Sequence, residues 1–221
     1  MAMTGKILAI YGSGGLGREV YDIANRRNAV SSQWSKIIFI NDFTQSDDFR
    51  STSMVAFTSI LSSANKIECV IATGEPSVRE KLFNKVAEAG ITFATLIDPH
   101  AQVSPFATLG KGTIVSEYSS IHCDVTIGEN CLIQPYSNIG HDISIDDHSV
   151  MSSHCAPGGA SRFGKRVYVG MHASIKENLT IGDDAIVGMG AVVFRDVVAG
   201  SVVVGNPARV TKGSDDGRVF R

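Results

Sequence analysis

The sequence predicts a mixed architecture: a small α/β domain through residue 96, a parallel β-helix over residues 97–211, and a tail from 212 to 221. Two observations carry this reading. From Ile97 to Val198 the chain can be written as 17 consecutive hexads without an insertion, and before Ile97 strand-like and helix-like segments alternate. Sixteen of the 17 first positions are large and apolar, Pro157 being the exception, and every fifth position is small or apolar. A period of six suits neither an amphipathic helix nor a free strand. It suits a short strand plus a tight turn, with one large and one small side chain pointing inward per unit. Three units close a triangular coil, and coils stack as parallel strands about 4.8 Å apart.

In the N-terminal part, KILAIYG (Lys6 to Gly12), KIIFIND (Lys36 to Asp42) and ECVIATG (Glu68 to Gly74) read as buried strands. REVYDIANRRN (Arg18 to Asn28) and SVREKLFNKVAEAG (Ser77 to Gly90) read as amphipathic helices. Alternation at this spacing gives a small parallel sheet. The Ser-rich stretch from Thr44 to Ser63 reads mostly as loop, with room for one short helix.

Composition narrows the function. With 20 basic and 22 acidic residues the formal charge is −2, which provides no electrostatic footprint for nucleic acid. No apolar run approaches the roughly 20 residues that span a bilayer, and the N-terminus turns glycine-rich too early for an export signal. A cytoplasmic protein without membrane partners is expected. Its four cysteines (Cys69, Cys123, Cys131, Cys155) contain no CxxC pair and read as reduced thiols.

Gly12-Ser13-Gly14-Gly15-Leu16-Gly17 is a GxGxxG between a predicted strand and helix. Such glycines permit a tight turn and close backbone approach to phosphate, which the helix N-terminus also attracts. Asn41 and Asp42 close the next strand, where a carboxylate can reach a ribose or base, and Gly74 closes the third. Substrate contacts are therefore expected from residues 12–17, Asn41, Asp42 and Gly74; a glycine-rich turn that binds nothing is the alternative. This Rossmann-like domain is too short for a redox dinucleotide, so a nucleotide attached to something else fits better.

Gly140-His141-Asp142 places an imidazole beside a carboxylate at a coil corner. Residues 18 apart stack, which puts Gly159 beside His141. A base, its orienting carboxylate and an unobstructed backbone N–H are what acyl transfer needs; a solvated corner histidine is the alternative. His154 and His172 are also 18 apart and should stack, with His148 on another face and His100 and His122 unpartnered. Stacked histidines on a subunit face are preferred over a zinc site, because no short-spacing ligand pair accompanies them. Near the end of the chain come Gly188-Met189-Gly190 and Gly205-Asn206-Pro207-Ala208-Arg209; Gly170 and Gly188 stack and leave a flat groove, and Arg209 can meet phosphate, with plain tight turns as the alternative for the glycines.

Together these segments resemble the sialic acid O-acetyltransferase and bacillosamine (nucleotide-amino-sugar) N-acetyltransferase group of left-handed β-helix hexapeptide acyltransferases. The resemblance runs from GSGGLGREV through NIGHD to GNPAR. It implies a left-handed coil, homotrimers, and acetyl-CoA lying between neighbouring β-helices as co-substrate, with no metal. It also implies a nucleotide-linked amino sugar on the N-terminal domain. In that pattern His141 is the base, Asp142 its partner and Gly159 the N–H donor to the thioester carbonyl. Gly188, Met189, Gly190, Gly205, Pro207 and Arg209 line the CoA arm. Two departures stand out: Val150 occupies the place of a common second histidine, and Leu16 that of a histidine in the glycine-rich loop. The expected reaction is acetyl transfer to a 4-amino-deoxyhexose for surface glycan assembly. O-acetylation of a sugar hydroxyl such as that of sialic acid is the runner-up, ahead of a zinc hydratase or a non-catalytic nucleotide-binding trimer.

Overall fold

A computed structural model describes residues 5–43, 52–211 and 218–220. The N-terminal domain is a five-stranded parallel sheet built from β1 (Ile7–Tyr11), β2 (Lys36–Ile40), β3 (Met54–Val55), β4 (Ile67–Ile71) and β5 (Thr92–Phe93), in the order β3-β2-β1-β4-β5. Helix α1 (Gly15–Ser31) buries Val20, Ile23 and Ala24, an i, i+3, i+4 stripe, and stops at Ser32 in the left-handed region. Helix α2 (Pro76–Glu88) begins on a proline, whose fixed φ suits the first turn. Of the Ser-rich stretch, residues 44–51 lie outside the described residues; the remainder contains β3 and the start of a 3₁₀ helix over Phe57–Lys66.

From Leu96 onward the chain winds as a left-handed parallel β-helix. Three faces recur every 18 residues. The first carries Leu96–Ile97, Ile114–Val115, Leu132–Ile133, Val150–Met151, Tyr168–Val169 and Ile186–Val187. The second starts at Gln102–Val103 and the third at Thr108–Leu109. First- and fifth-position side chains fill the interior from Val115 to Val203, each large aliphatic group contributing about 1.5–3 kcal/mol on burial. Small polar fifth positions are satisfied inside: Ser119, Ser137, Ser149 and Ser161 each donate to a carbonyl 15 residues ahead. Corners turn through a left-handed residue at the fourth position, from Tyr118 to Asp184.

Pro157 fits without breaking the coil, because the inter-coil bonds around it are donated by sixth-, second- and fourth-position N–H groups. Asn138 donates to the Cys155 carbonyl, and Gly158 to that of Ile175. A proline at a first position loses none of them.

The N-terminal domain sits on the first face, where Leu96, Ile114, Leu132 and Val150 share a core with Val20, Ile23 and Trp34. Polar groups lock this junction. Arg26 pairs with Asp98 at 2.6 Å and with Glu117 at 2.9 Å. Arg79, fully buried, spans from β4 to the Asn130 corner. Asn130 Nδ2 donates to His148 Nδ1 at 3.0 Å, which leaves the imidazole proton on Nε2, 4.0 Å from Glu80.

Burial lowers the His148 pKa against the pull of Glu80 and Asp147, with Arg79 and Arg166 adding to the depression. The unfolded chain therefore takes this proton first as pH falls. The His148 contribution to stability is complete above its ordinary value of 6.5 and is lost as pH drops through the depressed folded value. Urea unfolding midpoints should decline from pH 7 toward pH 5, and a His148→Gln variant should flatten that decline; an equally steep one would contradict the assignment.

Of the tail, residues 212–217 and 221 lie outside the described residues. Val219 and Phe220 N–H groups donate to Glu75 Oε2, and the Phe220 ring meets Tyr168 edge-on at 5.6 Å.

Candidate active site

His141 stands on the edge between the second and third faces. Its Nδ1 lies 2.6 Å from Asp142 Oδ2. A carboxylate only accepts, so Nδ1 carries the proton and Nε2 keeps its lone pair. Both side chains are more than half exposed, leaving that nitrogen open to a ligand. Asp142 occupies the left-handed corner position (φ 57°), which turns it back onto its neighbour's ring.

Gly159, one coil further on, lies against this ring. A Cβ there would stand 2.7 Å from His141 Nε2 and Cε1, so any side chain would displace the imidazole. The Gly159 N–H has no hydrogen-bond partner among the described residues, although its carbonyl accepts from Asn178. A basic nitrogen and an unused backbone donor thus lie close to one another. Gly140 is held to glycine by Gly159 itself, whose nitrogen would be 2.9 Å from a Cβ. On the other side of His141, the Asp142 N–H donates to the Cys123 carbonyl. Cys123 is exposed, whereas burial pushes the Cys131 and Cys155 thiols up to about 12 and raises that of Cys69 as well.

The glycine-rich turn opens on a separate cleft of ≈ 500 Å³. Gly12, Ser13, Gly14, Asn41 and Asp42 line it, as the sequence suggests. Gly12 (φ 113°) is required there, because a Cβ would stand 2.6 Å from the Ala72 carbonyl oxygen. Gly15, Leu16 and Gly17 form the first turn of α1 instead, with Leu16 packed on the core, and Gly74 is covered by Phe220.

Tyr11 and Lys85 are additions that the sequence did not reveal. Asp42 Oδ2 accepts from the Tyr11 hydroxyl at 2.5 Å and from Lys85 Nζ at 2.7 Å, while Oδ1 takes the Phe57 N–H at 2.8 Å. Burial pushes the Asp42 pKa up, but these donors outweigh it and bring it to about 2. Lys85 is itself raised: partial burial works against its charge, and the Asp42 and Tyr11 contacts prevail. An ammonium thus sits opposite the glycine-rich turn, held by residues from β1, the end of β2 and α2. Spacing along the chain could not signal it, because it forms across the sheet.

Gly188, Met189 and Gly190 lie on a different edge from Gly159, between the first and second faces. A Cβ on Gly170 would stand 2.6 Å from the Met189 nitrogen, so these coils approach as bare backbone. Gly205 to Ala208 turns back here, its Gly205 carbonyl accepting from Val192 and its Ala208 N–H donating to the Val192 carbonyl. Arg209 borders a ≈ 280 Å³ hollow with Arg195. The same edge carries a ladder of rings: His100, Tyr118, Tyr136, His154 and His172, with centroids 4.7–5.7 Å apart. His154 and His172 stack as expected. His100 gains Tyr118 and Asp98 as partners, and His122 gains Asn138, where the sequence suggested none. Among the described residues no group of three or more His, Cys, Asp or Glu side chains is arranged to hold a metal ion. Among them, too, no helix is long and apolar enough to cross a membrane.

Comparison with known proteins agrees with this layout. Residues 7–86 match the PglD N-terminal domain family, and residues 124–156 match the bacterial transferase hexapeptide family of six repeats. The acetyltransferase domain of PglB from Neisseria gonorrhoeae, in complex with acetyl coenzyme A, superposes with a TM-score of 0.87 at 26% identity, covering 93% of this chain and 99% of that one. In fold and in both matched segments the chain resembles the hexapeptide acyltransferases. A second similar structure is PerB from Caulobacter crescentus in complex with CoA and GDP-perosamine, with a TM-score of 0.81 and 26% identity over 92% of this chain and 96% of that one. Among curated proteins, 2,3,4,5-tetrahydropyridine-2,6-dicarboxylate N-acetyltransferase from Staphylococcus aureus is 50% identical over 46 residues, which span 21% of this chain and only 19% of that relative.

Proposed function

We propose that this acyltransferase moves the acetyl group of acetyl-CoA directly to the amino group of a nucleotide-linked 4-amino-deoxyhexose, in the assembly of a surface glycan. The observation that carries the reading is the His141 ring lying against Gly159, with Asp142 on its far nitrogen. Residues 1–96 bind the nucleotide through Gly12, Ser13, Gly14, Asn41, Asp42 and Lys85, and residues 97–211 perform the transfer. The CoA arm follows the bare coils at Gly188–Gly190 and the turn at Gly205 and Pro207, with Arg209 on phosphate.

In the reaction the amine attacks the thioester carbonyl, whose developing oxyanion takes the Gly159 N–H. His141 Nε2 accepts the amine proton, and Asp142 stabilises the imidazolium. The C–S bond then breaks and the proton passes to the CoA thiolate. The exposed large apolar groups support a homotrimer: Phe106, Tyr118, Tyr136, Met189 and Phe194 concentrate on the two edges flanking the second face.

Gly159→Val should leave the fold intact and cut turnover by about 100-fold or more, since it removes the ring from its place; wild-type kinetics would contradict the role given to Gly159. The class of reaction is tested by product analysis after incubation with acetyl-CoA and a nucleotide-linked 4-amino sugar. An amide resonance in the product spectrum is expected, and an ester on a hydroxyl would convert the reading to O-acetylation.

A further inference from the structure

We infer that the hexose ring of the acceptor is held on the side of His141 facing the N-terminal coils, in a groove where Ser120 and His122, with Asn138 bonded to His122 at its border, read its hydroxyls. This rests on the acyl-transfer reading above and assigns the acceptor's place within it. The two sides of the His141 ring differ. Toward the C-terminal coils stands Gly159, bare backbone with an unused N–H, which suits a thioester carbonyl. Toward the N-terminal coils, one coil earlier, stands Cys123, joined through its carbonyl to the Asp142 N–H at 3.1 Å. An amine that attacks a carbonyl polarised at Gly159, and hands its proton to His141, must come from the remaining side.

On that side lies an open groove of ≈ 640 Å³ lined by Gln102, Ser120, His122 and Cys123 among others, a volume in the range of small-molecule sites. Two of its polar residues, Gln102 and Ser120, pair in register across successive coils of the second face, and Asn138 continues that row one coil further on, beside the groove. His122 Nε2 donates to Asn138 Oδ1 at 2.9 Å. That bond leaves His122 Nδ1 as an acceptor and the Asn138 amide as a donor, adjacent and unused among the described residues. Neighbouring sugar hydroxyls, each both donor and acceptor, match such a pair.

The groove lining contains no lysine, arginine, aspartate or glutamate. It is therefore built for a neutral polyhydroxy ring and not for a diphosphate. The charged end of the substrate is provided for elsewhere, at the cleft bearing Lys85 and the glycine-rich turn.

Cys123 supplies a direct readout, being the exposed thiol beside three buried ones. Its alkylation by a maleimide should be slowed several-fold by a nucleotide-linked 4-amino sugar and left unchanged by acetyl-CoA alone. His122→Ala and Asn138→Ala should each raise the acceptor KM by about tenfold, the loss of a partner for a bound hydroxyl, with the acetyl-CoA KM within twofold of wild type. The inference is overturned if both variants keep the wild-type acceptor KM, if acetyl-CoA and not the acceptor shields the thiol, or if Cys123 is unreactive in the ligand-free protein. Failure of wild-type protein to acetylate any nucleotide amino sugar would instead overturn the acyl-transfer reading, and the labelling experiment separates the two.

Discussion

His141→Ala should lower kcat/KM by roughly 10²–10⁴, the usual contribution of a positioned general base, while leaving thermal unfolding unchanged. The ring is exposed and, among the described residues, its polar contact is Asp142, so its removal costs little packing. The acetyl-CoA KM should change little, because the proposed mechanism gives the donor to the backbone of Gly159 and not to the imidazole. His141→Asn should be equally slow, since an amide nitrogen has no basic lone pair. Residual turnover should come from the positioning of two reactants side by side. A variant within threefold of wild type would remove His141 from the mechanism.

Arg79→Met should produce the largest loss of stability, about 3–5 kcal/mol. The guanidinium is fully buried and, among the described residues, pairs with no carboxylate; it donates to the carbonyls of Ile71 (2.8 Å), Thr73 (2.9 Å) and Asn130 (2.8 Å) and to Asn130 Oδ1 (3.0 Å). Burial lowers its pKa to about 10, so it stays charged near neutrality. Methionine fills much of the volume yet orphans every one of those acceptors. For a chain of this size each kcal/mol shifts Tm by about 2–4 °C, so a fall of roughly 10 °C is expected in thermal unfolding. Thr73 borders the cleft at the glycine-rich turn, and the nucleotide binding proposed there should weaken as well. A fall of less than about 3 °C would show that water or a neighbour replaces the guanidinium.

The β-helix was legible because its period is enforced by geometry: every inward position from Ile121 to Val193 must fit the same triangular interior, so the sequence repeats the requirement. The juxtaposition of His141 with Gly159 followed from the same arithmetic, since 18 residues make one coil. Pro157 departs from the apolar pattern without cost, because its neighbours donate the inter-coil bonds. What could not be read were contacts between segments without a shared period. Arg79 appears in a helix of alternating charges as an ordinary surface residue, and its burial depends on the Asn130 corner 51 residues away. Lys85 and Tyr11 meet Asp42 only because β1, β2 and α2 converge at one end of the sheet. The extension of the histidine pair into a five-ring ladder needed tyrosines 118 and 136 to be recognised as members of the same register.

The central claim is that the two halves of the chain cooperate in acetylating a nucleotide-linked amino sugar. It is tested most directly by thiol release from acetyl-CoA across UDP-, GDP- and dTDP-linked 4-amino sugars, with sialic acid in the same panel. The account predicts turnover on one nucleotide amino sugar, abolished by His141→Ala. Turnover on sialic acid alone, or none with any acceptor by the folded protein, would contradict it.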